Sequence, residues 1–223
     1  MKKILFVIAM LMPMASYAQD TNWEVPTEVK KEVSKEAAPK KAKEEKAEKK
    51  KYKAKDDPKY LAGAAPIVDG YVQWTLDLDI PGKSASEIYA TTYSFIEGVV
   101  SGPNHVDGSR IALVNKAEHG IVATVKEWLI YKDKFLNLDR SKISYVLKAD
   151  ATDGHLKLNL TRIVIDYSEN MKEPDGVDTA ENWISDEKAL SKKGKIYPGC
   201  QKHRIKMIDR KDEIFSQLKA LFK

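Results

Sequence analysis

Several stretches of this chain carry residue types that do chemistry elsewhere, and their spacing decides whether they do it here. Gly82-Lys83-Ser84 has the end of a phosphate-cradling loop, in which backbone amides and a lysine surround the phosphate. The glycine that such a loop needs five positions before Gly82 is Asp77, so the three residues read as a turn and a helix cap. The histidines are His105, His119, His155 and His203; no two are four apart, so no helix face pairs them around zinc. Asp175-Gly176-Val177-Asp178 lacks the alternating oxygen ligands and the closing glutamate of a calcium loop. Ser101 precedes Gly102-Pro103, which is turn chemistry, and no Gly-x-Ser-x-Gly elbow occurs. Cys200 is the sole cysteine; Gly199 and Gln201 beside it supply no base, and it has no partner for an internal disulfide. No catalytic residue, cofactor or metal site is implied.

The elements that would carry a site are clearer than the site itself. Val72, Trp74, Leu76, Leu78 and Ile80 alternate with Tyr71, Gln73, Thr75, Asp77 and Asp79, which predicts a strand with one packed and one open face. Pro81-Gly82 ends it. Ser84 with Glu87 forms a capping box that opens a helix with Ile88, Thr92 and Phe95 on one stripe and Tyr89, Tyr93 and Ile96 on its neighbour, and Gly98 is expected to close it. Strand-like stretches follow at 110–115 and 120–131, and 142–150 with 155–167 read as a hairpin around Asp153-Gly154. Leu156, Leu158 and Leu160 alternate cleanly, whereas the apolar set then shifts to Ile163 and Ile165, which predicts a β-bulge at Arg162. Residues 168–199 form a polar excursion with a short helix near 180–190, and a long amphipathic helix runs from about Gln201 to Leu221. The expected class is α+β, ordered β-α-β-β-β-β-α, an antiparallel five-stranded sheet with two helices on one face.

What precedes this domain is of a different kind. Lys2 and Lys3, the apolar run Ile4 to Met12, Pro13 and Ser16-Tyr17-Ala18 predict a signal peptide over 1–18, too short to span a bilayer. Export to the periplasm or exterior follows, and without a nearby cysteine the product is not a lipoprotein. Residues 19–65 read as a Lys/Glu-rich tether, disordered or transiently helical, with Trp23 an incidental aromatic. Between Glu28 and Lys59 thirteen lysines face eight carboxylates, which accounts for the whole net charge of +5; from Tyr60 onward basic and acidic residues balance. A neutral domain lacks the basic face expected of a nucleic-acid binder. The tether is suited at most to weak, salt-sensitive contact with anionic lipid or cell-wall polymer.

From about residue 66 to 223 the chain resembles an exported-protein family known as domain of unknown function 4468. The resemblance rests on Val68-Asp69-Gly70, Ile80-Pro81-Gly82-Lys83-Ser84, the Asp153-Gly154 hairpin, Trp183-Ile184-Ser185-Asp186-Glu187 and Ile208-Asp209-Arg210-Lys211-Asp212-Glu213-Ile214-Phe215, taken in that order. It implies a fold like one half of the TATA-binding-protein (TBP) saddle and an envelope address; it implies no activity. On that saddle the open sheet face grips DNA, whereas Asp77 and Asp79 on the first strand here repel phosphate.

The expected function is a non-catalytic envelope module that binds a protein, peptide or glycan, and not nucleic acid. The candidate contact residues are Tyr71, Gln73, Thr75 and Asp77 on the open face, with Trp183 in the excursion. The rival readings are a small hydrolase with a site between the sheet end and residues 168–199, and electrostatic adsorption through the tether.

Overall fold

The structure, a computed structural model, describes residues 23–26, 54–134, 137–169 and 176–223. The expected signal peptide and tether residues 27–53 lie outside the described residues. Two 3-10 turns, Ala54–Asp56 and Pro58–Tyr60, lead into β1 (Ile67–Val68) and β2 (Tyr71–Val72). These two pair across Asp69 and Gly70, whose φ angles of 51° and 83° are what a tight two-residue hairpin of this twist requires. Then follow β3 (Trp74–Asp79), α1 (Ala85–Val100), β4 (Arg110–Asn115), β5 (Gly120–Lys134), β6 (Asn137–Thr152) and β7 (His155–Asp166). The excursion contributes β8 (Val177–Thr179), α2 (Ala180–Trp183) and α3 (Asp186–Ala189), and α4 (Pro198–Ala220) ends the fold.

The main sheet has the order β3-β7-β6-β5-β4, every pair antiparallel, so the first strand inserts beside the last long one. The expected five strands are present, joined by β8, which pairs with the end of β7. Three residues, Val-Asp-Thr, are too short and too polar to announce a strand by pattern. Trp74 and Leu78 of β3, Val125 and Leu129 of β5, Tyr145 and Leu147 of β6, and Leu156 to Leu160 at alternate positions of β7 fill one face. α1 and α4 both pack there, through Ile88 and Ile96, and through Met207, Ile214 and Leu218. At the expected bulge the register steps from Thr161↔Val146 to Val164↔Ser144, with Arg162 at φ 55° absorbing the extra residue. The step returns Ile163 and Ile165 to the buried face.

Two expectations at α1 resolve differently. The capping box at Ser84 and Glu87 forms in both directions. A second chain segment adds to it: Asp153 in the β6–β7 turn accepts the Ala85 N–H at 2.7 Å, placing a carboxylate on the positive end of the helix. The far end is a correction. Gly98 does not close the helix, which runs on to Val100 and is capped by Ser101. Gly98 is an exposed interior position, and a Cβ there meets nothing within 4 Å. Likewise the helix expected near 180–190 is two single turns, because Ser185 leaves the first and caps the second by accepting the Lys188 N–H. α4 begins at Pro198, earlier than its apolar stripe suggests, since proline at a first turn forfeits no hydrogen bond.

The domain boundary also moves. Residues 54–65, read as tether, belong to the folded body: Tyr60 and Ala65 are buried. What holds them is Arg204 of α4, which is 0% exposed. Its Nε donates to Tyr60 O at 2.6 Å and its Nη2 to Leu61 O at 2.6 Å. Nη1 donates to Ile184 O, and Nη2 also reaches Asp186 Oδ1 at 2.6 Å. The Asp186 carboxylate in turn accepts the N–H groups of Gly63 and Ala65. A stretch with two buried side chains has too little apolar content to be recognised by composition, and its partner lies nearly 150 residues away.

Two outcomes test this account. Arg204→Met, which leaves three carbonyls and Asp186 without their donor, should destabilise by about 3–5 kcal/mol in urea unfolding. Gly98→Ala should stabilise by about 0.5–1 kcal/mol, a rise in Tm of a few degrees, because helix entropy improves and nothing is displaced.

Candidate binding surface on the open sheet face

Among the described residues, no helix covers the side of the sheet opposite α1 and α4. Register sets its composition row by row. Asp77 of β3 stands opposite Lys157 of β7, which stands opposite Asp150 of β6; Thr75, Asn159 and Lys148 form the next row. Farther along, Ser144 faces Lys126, and Lys142 faces Trp128. All of these residues are exposed or half-exposed. Lys126, Arg140, Lys142, Lys148, Lys157 and Arg162 stand against Asp77, Asp79, Asp150 and Asp166, a modest excess of cations, with Lys142 4.0 Å from Asp166 and Lys148 3.3 Å from Asp150.

Its aromatics are engaged by cations. The Arg140 guanidinium lies 3.7 Å from the Trp128 ring centroid, and the Lys142 ammonium lies 5.4 Å from it. Arg140 also pairs with Glu169 at 3.2 Å. On the β3 side the Arg162 guanidinium sits 4.5 Å from the Tyr71 ring and donates to its hydroxyl at 3.3 Å. Such stacking holds long side chains in place.

The residues expected to form the contact surface separate into three places. Tyr71, 39% exposed, Thr75 and Asp77 share the open face. The Thr75 hydroxyl donates to Asn159 Oδ1 at 2.8 Å, and Asp77 meets His155 Nε2 at 2.5 Å. Gln73 interrupts the strand between β2 and β3: its N–H donates to Pro66 O at 3.1 Å, and it lines a shallow groove at the β3 edge with Lys59, Trp74 and Lys211. Trp183 is on the opposite side of the sheet, against α4. The acidic character inferred from Asp77 and Asp79 holds only for the β3 margin. The cations come from β5, β6 and β7, whose alternation was visible in the sequence but whose order beside β3 was not.

Trp183 belongs to a packed aromatic box beneath the excursion. Its ring lies 4.3 Å from His203, which is edge-on to Tyr131 at 4.9 Å and to Tyr167 at 5.2 Å. The Tyr131 hydroxyl is 2.7 Å from Ser141 Oγ and 2.6 Å from His203 Nδ1; with one proton it donates to one and accepts from the other. Lys202 bridges Asp139, at 3.1 Å, and the Tyr167 ring. Burial, reinforced by the Lys202 charge and opposed by Asp139, pushes the His203 imidazole down to about 3. Burial also opposes the charged form of Asp139, but hydrogen bonds from Tyr167 and Lys202 outweigh it and hold that carboxyl below its usual range. Cys200 nearby is pushed up by burial, which disfavours the thiolate.

A groove of about 580 Å³ also runs between α1 and α4, lined by Phe95, Val99, Lys206, Arg210 and Gln217. Its one buried carboxylate, Glu127, is already matched: Arg210 donates to both oxygens at 2.8 Å and Tyr145 donates at 2.8 Å.

Residues 74–166, from β3 to the end of β7, match a family described as a domain of unknown function (DUF4468) with TBP-like fold. A crystal structure of a DUF4468 family protein from Bacteroides ovatus is 32% identical with a TM-score of 0.68, over 75% of this chain and 95% of that one. A TBP-like protein from Parabacteroides distasonis, 17% identical, shares the fold with a TM-score of 0.57 over 71% of this chain and 96% of that one. No curated protein matches.

His203 makes a pH prediction. Its folded-state value is depressed, so the unfolded chain binds the proton more readily between pH 6.5 and about 3. Stability is fully present above pH 6.5 and falls as the solution is acidified through that window, by up to about 1.4 kcal/mol per pH unit. Thermal unfolding from pH 7 to 4.5 should show this decline, and His203→Gln should flatten it.

Proposed function

This chain belongs to the DUF4468 family of TBP-like fold, and on that premise we propose that it is a non-catalytic binding module of the cell envelope that takes an acidic protein partner on its open sheet face. The observation that carries the reading is this face itself, with guanidinium groups braced on Trp128 and Tyr71, and with Lys126 and Lys157 outside the ion pairs that Lys142 and Lys148 make with Asp166 and Asp150. Arginine and aromatic residues are the types that anchor protein contacts. Lys126 and Lys157 stand among them without an ion pair within 4 Å among the described residues.

Burial weighs against hydrolysis beneath the excursion. Ser141 is 0% exposed and His203 3%, so no substrate bond reaches them without opening the aromatic box. An imidazole held near 3 is also a poor base at neutral pH. The envelope address rests on the expected signal peptide.

The test is retention of envelope proteins on the immobilised full-length chain. Substituting Tyr71→Ala, Lys157→Gln and Arg162→Asn together should reduce each specifically retained protein at least about fivefold, and about 0.5 M salt should do the same to the unaltered chain. Asparagine is chosen at 162 because it tolerates the positive φ there. Melting should shift by only a few degrees. Retention that survives both treatments would place the contact elsewhere.

A further inference from the structure

The edge of the sheet at β4 is occupied by four residues from far upstream. Glu24 pairs antiparallel with Val114: its N–H donates to Val114 O at 2.6 Å, and the Val114 N–H donates to Glu24 O at 2.7 Å. Trp23, one residue earlier, lies against Gly120 at the start of β5. A Cβ on Gly120 would stand 2.7 Å from the indole Cη2 and 3.1 Å from Cζ2, so only glycine admits the ring. Across β4 the register Asn115↔Gly120 puts this notch one strand in from the edge, within reach of a side chain as long as tryptophan. Pro26, which has no N–H to give, stops the pairing two residues later. Beyond the backbone pair, Glu24, Val25 and Pro26 wall a groove of about 520 Å³ with Tyr89 and Tyr93 of α1 and with Lys116.

We propose that the β4 edge and the Gly120 notch form a strand-addition site for an extended peptide whose tryptophan precedes the paired residue, and that Trp23–Pro26 of the same chain is its resident ligand. Strand addition draws affinity from main-chain hydrogen bonds and specificity from side-chain pockets, here a notch that only a missing Cβ creates. One hydrogen-bonded pair and one indole make a weak contact between separate molecules. Within one chain it is favoured because the arm is covalently joined to the domain, only 27 residues before the next described segment, which makes the contact intramolecular and raises its effective concentration to the order of millimolar. The site also explains why an otherwise open edge strand presents no unpaired Val114 amide. Trp23, expected as incidental, is thus the anchoring residue, and the charged segment links two points of one domain.

Amide hydrogen exchange on the full-length chain decides the matter. The Val114 N–H should be protected at every protein concentration, and Trp23→Ala should accelerate its exchange at least about tenfold while the Leu147 amide in β6 stays protected. Gly120→Val, which keeps the indole but fills its notch, should do the same. A synthetic peptide of residues 19–27, added to the Trp23→Ala chain at millimolar concentration, should restore protection; the same peptide with alanine in place of tryptophan should not. Unchanged exchange in both variants, or failure of the peptide to restore protection, would overturn the site. Protection that rises with protein concentration would mean that a second copy supplies the arm, and would overturn the intrachain assignment. None of these outcomes depends on the open face, so the two proposals fail separately.

Discussion

A strand has two faces, and this molecule commits one of them wholly to its core. Along β3, β5, β6 and β7 alternate residues turn to one side and are mostly apolar and buried, so α1 and α4 have one place to go. The bulge at Arg162 shows how firm the constraint is: where the alternation slips by a residue, the backbone takes a positive φ to bring Ile163 and Ile165 back to the buried side. The buried Glu127 on that side is matched in place by Arg210 and Tyr145. The opposite face is polar, and among the described residues no helix lies on it.

Closing the core at its ends requires something other than apolar contact. Arg204 gathers segments that have no stripe of their own, the 60–65 stretch and the turns around Ile184 and Asp186, by presenting a planar fork of donors to three carbonyls and a carboxylate. A buried guanidinium is costly unless fully matched. Its complete matching here joins the two ends of the domain, and the aromatic box around His203 fills the remaining space beneath the excursion.

Two surfaces then remain for partners, of different chemistry. The open face presents fixed cations above a β-sheet, suited to an acidic surface; the β4 edge presents backbone groups and a notch, suited to a strand. Both follow from one antiparallel order, which turns one polar face of the middle strands away from α1 and α4 and puts β4 at the rim, where Glu24 meets it. TBP-like architecture is compatible with many uses, and the side chains on these two surfaces carry the functional content.

Local pattern determined the strand from Trp74 to Asp79, though not its break from Val72 at Gln73, and also the capping box, the Asp153-Gly154 hairpin, the bulge and the amphipathic last helix, because each is written in neighbouring residues. Gly98 misled because glycine is as common a stop signal as it is a tolerated interior residue, and only the continuing apolar contacts of Val99 and Val100 choose between them. Lys126, Arg140, Lys142 and Lys157 lie far apart in the chain and share one face only through pairing between distant segments. Arg204 with Tyr60, and Trp23 with Gly120, are contacts at separations where the sequence holds no local signal: a lone arginine in a helix and a lone tryptophan in a charged arm read as surface until the fold brings their partners to them. Periodicity is a property of neighbours, whereas register, edges and buried charge arise only when the chain closes on itself.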